Sequence, residues 1–234
     1  MLNLHRALCL GLLLVSFGAA AEVVKTRHGD MTLNANFETT DTWPEGPVVL
    51  ITHGTLAHRD MEIVKGLQTL LGERDISSLA INLSLGIDDR AAEMYDCPAP
   101  HRHLHEDAVA EIGAWLDWLR AKGATRIVLL GHSRGGNQTA RFAAANPEAG
   151  VEQVFLVAPA TWDESKHAKG YEKRYGEPLK PILEEARAKV AAGEGDALMG
   201  PMGFIYCADT KATAEAVVSY YRADPDMDTP HVLP

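Results

Sequence analysis

Ile127-Val-Leu-Leu-Gly-His-Ser-Arg-Gly-Gly136 decides how this chain is read. Ile127 to Leu130 is a short aliphatic run, the composition of a strand buried on both faces. Arg134 to Asn146 reads as helix, and Pro147 stops it. Gly131-His132-Ser133-Arg134-Gly135 is therefore a G-x-S-x-G turn between strand and helix, the context in which that pattern has a mechanism. The chain must reverse sharply to enter the helix, which lifts Ser133 Oγ clear of the strand end. Glycine at 131 and 135 removes side chains that would clash at the reversal. The helix start brings amide N–H groups and a positive dipole end to the same point, where an oxygen gaining negative charge is stabilised.

Upstream, Val48-Val-Leu-Ile-Thr52 is a second run of the same kind and ends in His53-Gly54-Thr55. Ser78 to Leu85 and Val154-Phe-Leu-Val157 are two more. Helical patterns lie between them. Met61, Val64, Leu67 and Leu71 recur at three and four before Gly72; Val109, Ile112, Leu116 and Leu119 share one face of a longer helix that Gly123 ends. Strands alternating with helices predict an α/β fold, a mostly parallel sheet with helices on both faces. Residues 23–38 read as a hairpin turning at His28-Gly29-Asp30, and 86–102 as a polar loop. After Pro159 the texture changes. Residues 161–222 are mostly helical and charged, punctuated by Pro178, Pro181 and Pro201, and read as a lid inserted after the strand at 154–157.

The chain carries 22 Lys+Arg against 32 Asp+Glu, a formal charge of −10, which argues against a nucleic-acid partner. No apolar stretch is long enough for stable membrane insertion. Residues 1–21 read as a secretory signal peptide: Arg6 is the only formal charge, Ala7 to Phe17 is apolar, and Ala19-Ala20-Ala21 precedes Glu22. The expected protein is periplasmic or secreted, with one domain over 22–234. Cys9 leaves with the signal, so Cys97 and Cys207 remain, an even number for an oxidising compartment. Both fall in segments that follow the carboxyl ends of parallel strands. A bond between them would tether the lid beside Ser133; the alternative is two unpaired thiols.

From about Leu33 onward the chain resembles the α/β-hydrolase superfamily. The resemblance rests on Val48-Val-Leu-Ile-Thr-His-Gly-Thr55 and on Ile127 to Gly136, in that order and spacing. It implies Ser133 as the nucleophile of a serine hydrolase, with the backbone amides of Thr55 and Arg134 as oxyanion hole. It implies that His53 and His132 shape their loops rather than act as base. The expected reaction is attack on an ester or related acyl carbonyl of a small molecule, then hydrolysis of the acyl-enzyme, with no metal or organic cofactor.

One departure sets a second function beside the first. In such proteins the acid and the histidine follow the serine, on loops after later strands. No later buried strand is read after Val157, and Tyr220 to Pro234 resembles the linker that precedes the next one. Val154–Val157 would then be a bare edge, unless the lid covers it or the chain is a fragment of the fold. Asp163, His167 and His231 are the in-chain substitutes. Asp163 and His167 are spaced to meet each other, and His231 is near the terminus. The alternative function is a truncated or non-catalytic protein of this fold that binds rather than cleaves. His101, His103 and His105 alternate as zinc ligands can, but are read as part of a polar loop and helix start. Asp224-Pro-Asp226-Met-Asp228 lacks the glycine and glutamate of a calcium loop, and Trp115 with Trp118 reads as packing. Oligomeric state is not legible.

Overall fold

The structure, a computed structural model, describes residues 21–233. The signal peptide read at 1–21 lies outside them except for its last residue. Strands β1 (Glu22–His28) and β2 (Met31–Glu38) form the hairpin expected at 23–38. Next come β3 (Val48–Thr52), helix α1 (Glu62–Gly72), β4 (Ser77–Asn82), α2 (Asp107–Ala121), β5 (Ile127–His132), α3 (Arg134–Ala145) and β6 (Val151–Val157). The sheet order is β1-β2-β4-β3-β5-β6, with β3, β4, β5 and β6 parallel and the β1–β2 hairpin antiparallel at one edge.

The runs at β3, β4 and β5 are continuous because both faces are covered. On one face Ile112, Trp115 and Leu119 of α2 pack against Leu33, Leu50, Leu79 and Leu129. On the other, Val64 of α1 meets Val49, Ile51, Ala80 and Val128. Gly123 takes a left-handed φ of 97° just past α2, the stop its position predicts. Trp118 packs edge-on against Phe37 at 5.2 Å and Trp115 at 5.6 Å, so the tryptophan pair is core and rim packing.

Three expectations need correction. First, β6 is not a buried strand. It pairs with β5 alone, and Phe155 is 52% exposed, because the lid packs elsewhere. Second, the lid is not only helical. After α4 (Glu164–Tyr175) and α5 (Leu179–Ala191), strands β7 (Leu198–Phe204) and β8 (Cys207–Thr213) form a separate antiparallel sheet before α6 (Ala214–Tyr221). Gly200, Pro201 and Gly203 hide β7 from a propensity reading. Third, the stretch from Tyr220 is no free linker. Tyr220 is buried in α6, and the following turn and α7 (Thr229–Val232) dock on α3, where Asn137 Nδ2 donates to Asp226 O at 3.0 Å. Among the described residues no helix is long and apolar enough to cross a membrane.

Candidate active site

The register of β3 on β5 pairs Thr52 with Gly131 and so sets His53-Gly54-Thr55 beside His132-Ser133-Arg134. The two loops touch through backbone. A side chain on Gly135 would come within 2.2 Å of His53 O, and one on Gly54 within 3.1 Å of Ser133 Cβ. Only glycine permits that approach. Ser133 itself sits at φ 55°, ψ −122°, a strained backbone for a residue with a side chain, worth on the order of 1–3 kcal/mol. Three backbone bonds hold it there. Its N–H donates to Val157 O at 3.0 Å, and its carbonyl accepts from Gly136 N–H at 3.0 Å and Ala160 N–H at 2.9 Å.

Thr55 is the second residue of the turn that Ala57 N–H closes onto Gly54 O at 3.3 Å, a position whose amide the turn leaves free. Arg134 opens α3, so its amide has no intrahelical acceptor. The Arg134 side chain links the loops, with Nε donating to Thr55 Oγ1 at 3.1 Å and the guanidinium 5.1 Å over the Tyr220 ring.

His53 is fully buried. Its Nδ1–H donates to Gly54 O at 2.9 Å, and Nε2 accepts from Leu83 N–H at 3.1 Å. Both nitrogens are used, and burial, with Arg90 adding to it, pushes its pKa down to about 3. It is a neutral loop support, as the resemblance implies. Arg90 continues that support by donating to Leu83 O at 2.7 Å and Ala57 O at 2.7 Å. Glu111, behind it, accepts from Ser84 N–H at 2.9 Å, and burial raises its pKa to about 7.

The remaining sequence candidates disperse. Asp163 caps α4, accepting from Lys166 N–H at 2.8 Å. His167 lies edge-on to Trp162 at 5.7 Å, and burial and then Arg134 lower its pKa. His231 is exposed on α7 and lines a cavity of about 710 Å³ between α2 and α3, with Arg141 and Asp226 rather than Ser133. Among the described residues no histidine is hydrogen-bonded to Ser133 Oγ.

His101, His103 and His105 are not a polar loop; all three are buried. His103 Nδ1 lies 2.8 Å from Tyr220 Oη and Nε2 lies 3.1 Å from His101 Nδ1, while Arg141 Nη1 donates to His105 Nδ1 at 3.1 Å. The strip packs against α6, the β7–β8 hairpin and α3. Among the described residues no group of three or more metal-ligating side chains converges.

Ser133 opens into a cavity of about 170 Å³, walled by Met61, Ile63, Val64, Met94 and Tyr206. Cys97 and Cys207 are bonded, with S–S 2.03 Å and Cα atoms 5.3 Å apart.

A model of the alpha/beta hydrolase family matches residues 48–232. The chain belongs to the alpha/beta hydrolase family. No curated protein sequence matches it. Among solved structures it is similar to the alpha/beta hydrolase GrgF from Penicillium sp. sh18, with TM-score 0.62 and 17% identity over 92% of this chain and 77% of that one. It is similar to Est1E from Butyrivibrio proteoclasticus with ferulic acid bound, with TM-score 0.59 and 17% identity over 87% and 73% of the two chains. The esterase Pf2001 of Pyrococcus furiosus gives TM-score 0.51 and 16% identity over 65% and 56%. At such identities the likeness speaks for the fold, an alpha/beta hydrolase fold shared with esterases.

Within that family fold, sequence reasoning missed the groups from outside the sheet. Tyr206 and Met94 reach the cavity from the lid and from the loop after β4. The one signal that pointed to them is Cys97 and Cys207, which lie three residues after Met94 and one after Tyr206.

Proposed function

We propose that this protein is an exported serine hydrolase that cleaves an ester or related acyl bond of a small molecule. Ser133 Oγ attacks the acyl carbon as a histidine base takes its proton, and the amides of Thr55 and Arg134 hold the oxygen that becomes negative. The leaving alcohol departs with that proton, and water then releases the acyl group as the acid. Each oxyanion donor is worth about 2.7–4 kcal/mol in the transition state. The chemistry calls for no metal or organic cofactor. One observation carries the reading: Ser133 is held at φ 55° on a strand-to-helix turn, beside a loop that leaves the Thr55 amide outside its own turn hydrogen bond. Export is supported by the character of residues 1–21 and by the Cys97–Cys207 bond, which an oxidising compartment favours.

A second reading, a binding protein on the same fold, is favoured by a different observation. Asp163 is engaged as the cap of α4, His231 lines a different cavity, and no described histidine is bonded to the Ser133 hydroxyl. Hydrolysis of p-nitrophenyl butyrate by the protein and by Ser133→Ala separates the two. The hydrolase reading expects turnover above buffer, a fluorophosphonate adduct on Ser133, and loss of both in the variant. Equal rates for protein and variant, with no adduct, would overturn it in favour of binding.

A further inference from the structure

The cavity beside Ser133 has a built mouth. Among the described residues eleven large hydrophobic side chains are exposed, and three of them ring this one opening: Ile63 (36% exposed), Met94 (57%) and Tyr206 (62%). They come from α1, from the loop after β4 and from the tip of the β7–β8 hairpin. Single exposed apolar residues need no explanation; convergence from three segments onto one opening marks a ligand surface.

Neither rim is a loose flap. Before Met94, Glu93 O accepts from Arg90 Nη1 at 2.8 Å; after it, Tyr95 N–H donates to Leu56 O at 2.9 Å, and the Tyr95 ring stacks on His101 at 4.5 Å. On the other rim Tyr206 has a left-handed φ of 82°. Its N–H donates to Tyr175 Oη at 2.8 Å, Ile205 N–H donates to Tyr221 Oη at 2.9 Å, and Arg174 lies 4.3 Å over its ring. The Cys97–Cys207 bond then joins rim to rim. The mouth width is set covalently.

We propose that this cavity is the acyl-group subsite, that it takes a single aromatic ring, and that Tyr206 and Met94, held by the Cys97–Cys207 bond, determine that choice. The inference rests on the reading of Ser133 as nucleophile. The volume, about 170 Å³, is close to the roughly 150 Å³ of an apolar cavity that takes one benzene ring. Beyond the serine end the walls carry no charge. Two of the wall residues, Met61 and Met94, offer thioether sulfurs, which favour contact with an aromatic ring over contact with an alkyl chain. A long chain meets the pinned Tyr206 before it is buried. Tyr206 and Met94 touch the substrate group; Cys97 and Cys207 are positioning residues that act through Tyr206.

Binding to the Ser133→Ala protein tests this without any bond being broken, read by isothermal titration with methyl phenylacetate and methyl octanoate. The aryl ester is expected to bind about ten-fold more tightly, within the range that pocket fit supplies. Tyr206→Ala, with the disulfide intact, should bring the ratio toward one. The Cys97→Ser/Cys207→Ser pair should do the same by admitting the octanoate. Phe155→Ser, at an exposed aromatic that does not line the cavity, should leave the ratio unchanged. Equal affinities before any rim change, no binding of the aryl ester, or a ratio indifferent to Tyr206→Ala would overturn the proposal. Failure of hydrolysis with the binding ratio preserved would count against Ser133 as nucleophile and leave the subsite standing.

Discussion

The molecule has two cores built by different means. Under the sheet, Leu50, Leu79, Leu129, Ile112 and Trp115 pack with no titratable side chain among them, and regular hydrophobic period places each one. Under the lid, Phe204, Tyr220, Met199 and Met202 pack with buried His101 and His103, and a disulfide closes the cluster. The first core is fixed by strand and helix repeats. The second is fixed by hydrogen bonds between aromatic and imidazole groups and by one covalent bond. The sheet half therefore answers to volume and backbone, and the lid half to protonation and oxidation.

The largest effect should come where the backbone of the sheet half leaves no room. Gly135→Ala puts a methyl group within 2.2 Å of His53 O and 2.7 Å of Thr52 O, both main-chain atoms that cannot swing aside. A loss of at least about 4 kcal/mol, or failure to fold, is expected by urea denaturation. A near-wild-type midpoint would show that the turn at Ser133 and the His53 loop do not touch as described.

The next effect belongs to the lid. Cys97 and Cys207 are 110 residues apart, and opening so long a loop is expected to lower stability by about 2–4 kcal/mol. Near-ultraviolet dichroism of the tyrosine-rich lid should fade at lower urea than far-ultraviolet signal from the sheet. Coincident loss of both signals would show that the two cores unfold as one unit.

Protonation should sharpen the contrast more gently. Burial lowers the pKa of His101 to about 4 and of His103 to about 3, and that of His105 also falls. Tyr95, Phe204 and Tyr220 face the first two; the Arg90, Arg134, Arg141 and Arg222 charges also oppose protonation. The unfolded chain binds protons at these sites near pH 6.5; the folded chain does so only at about pH 4 at His101 and about pH 3 at His103, and at a pH below 6.5 at His105. Stability from these groups is thus full above pH 6.5 and is lost as pH falls toward 3. In the sheet half two buried groups titrate over the same range with opposite signs. His53, lowered to about 3, acts like the lid histidines, whereas Glu111, raised to about 7, loses its stabilisation as pH rises from 4.5 to 7, so the two offset each other there while the three lid histidines act together. Thermal melts should show the lid signal falling before the sheet signal between pH 6.5 and 4. A lid midpoint flat over that range would mean that the histidines are not buried neutral.

Sequence reading did unequal work across these halves. Residues 48–52 and 127–130 read as strands because both faces are apolar; the first is bounded from the chain alone, and the second extends to His132 in the structure. Ser133 and its glycines were legible because the turn needs those residue types at that spacing. The β7–β8 hairpin was not. Gly200, Pro201 and Gly203 argue against a strand locally, and the pairing is maintained by partners far along the chain, such as His101, whose N–H donates to Lys211 O at 2.8 Å. The same distance in sequence hid the burial of His101, His103 and His105, whose alternation also suits a solvated loop.

The amino-acid sequence by itself determined the alternating α/β order, the strand-to-helix turn at Ser133 and the loop at Thr55, since these follow from local period and backbone sterics. Only the tertiary structure decided that Cys97 meets Cys207, that Tyr206 and Met94 wall the cavity beside Ser133, that Asp163 caps α4 and that His231 lines a different cavity. Contacts across many tens of residues depend on how elements pack, and packing distance is not written in the spacing of residues along a chain.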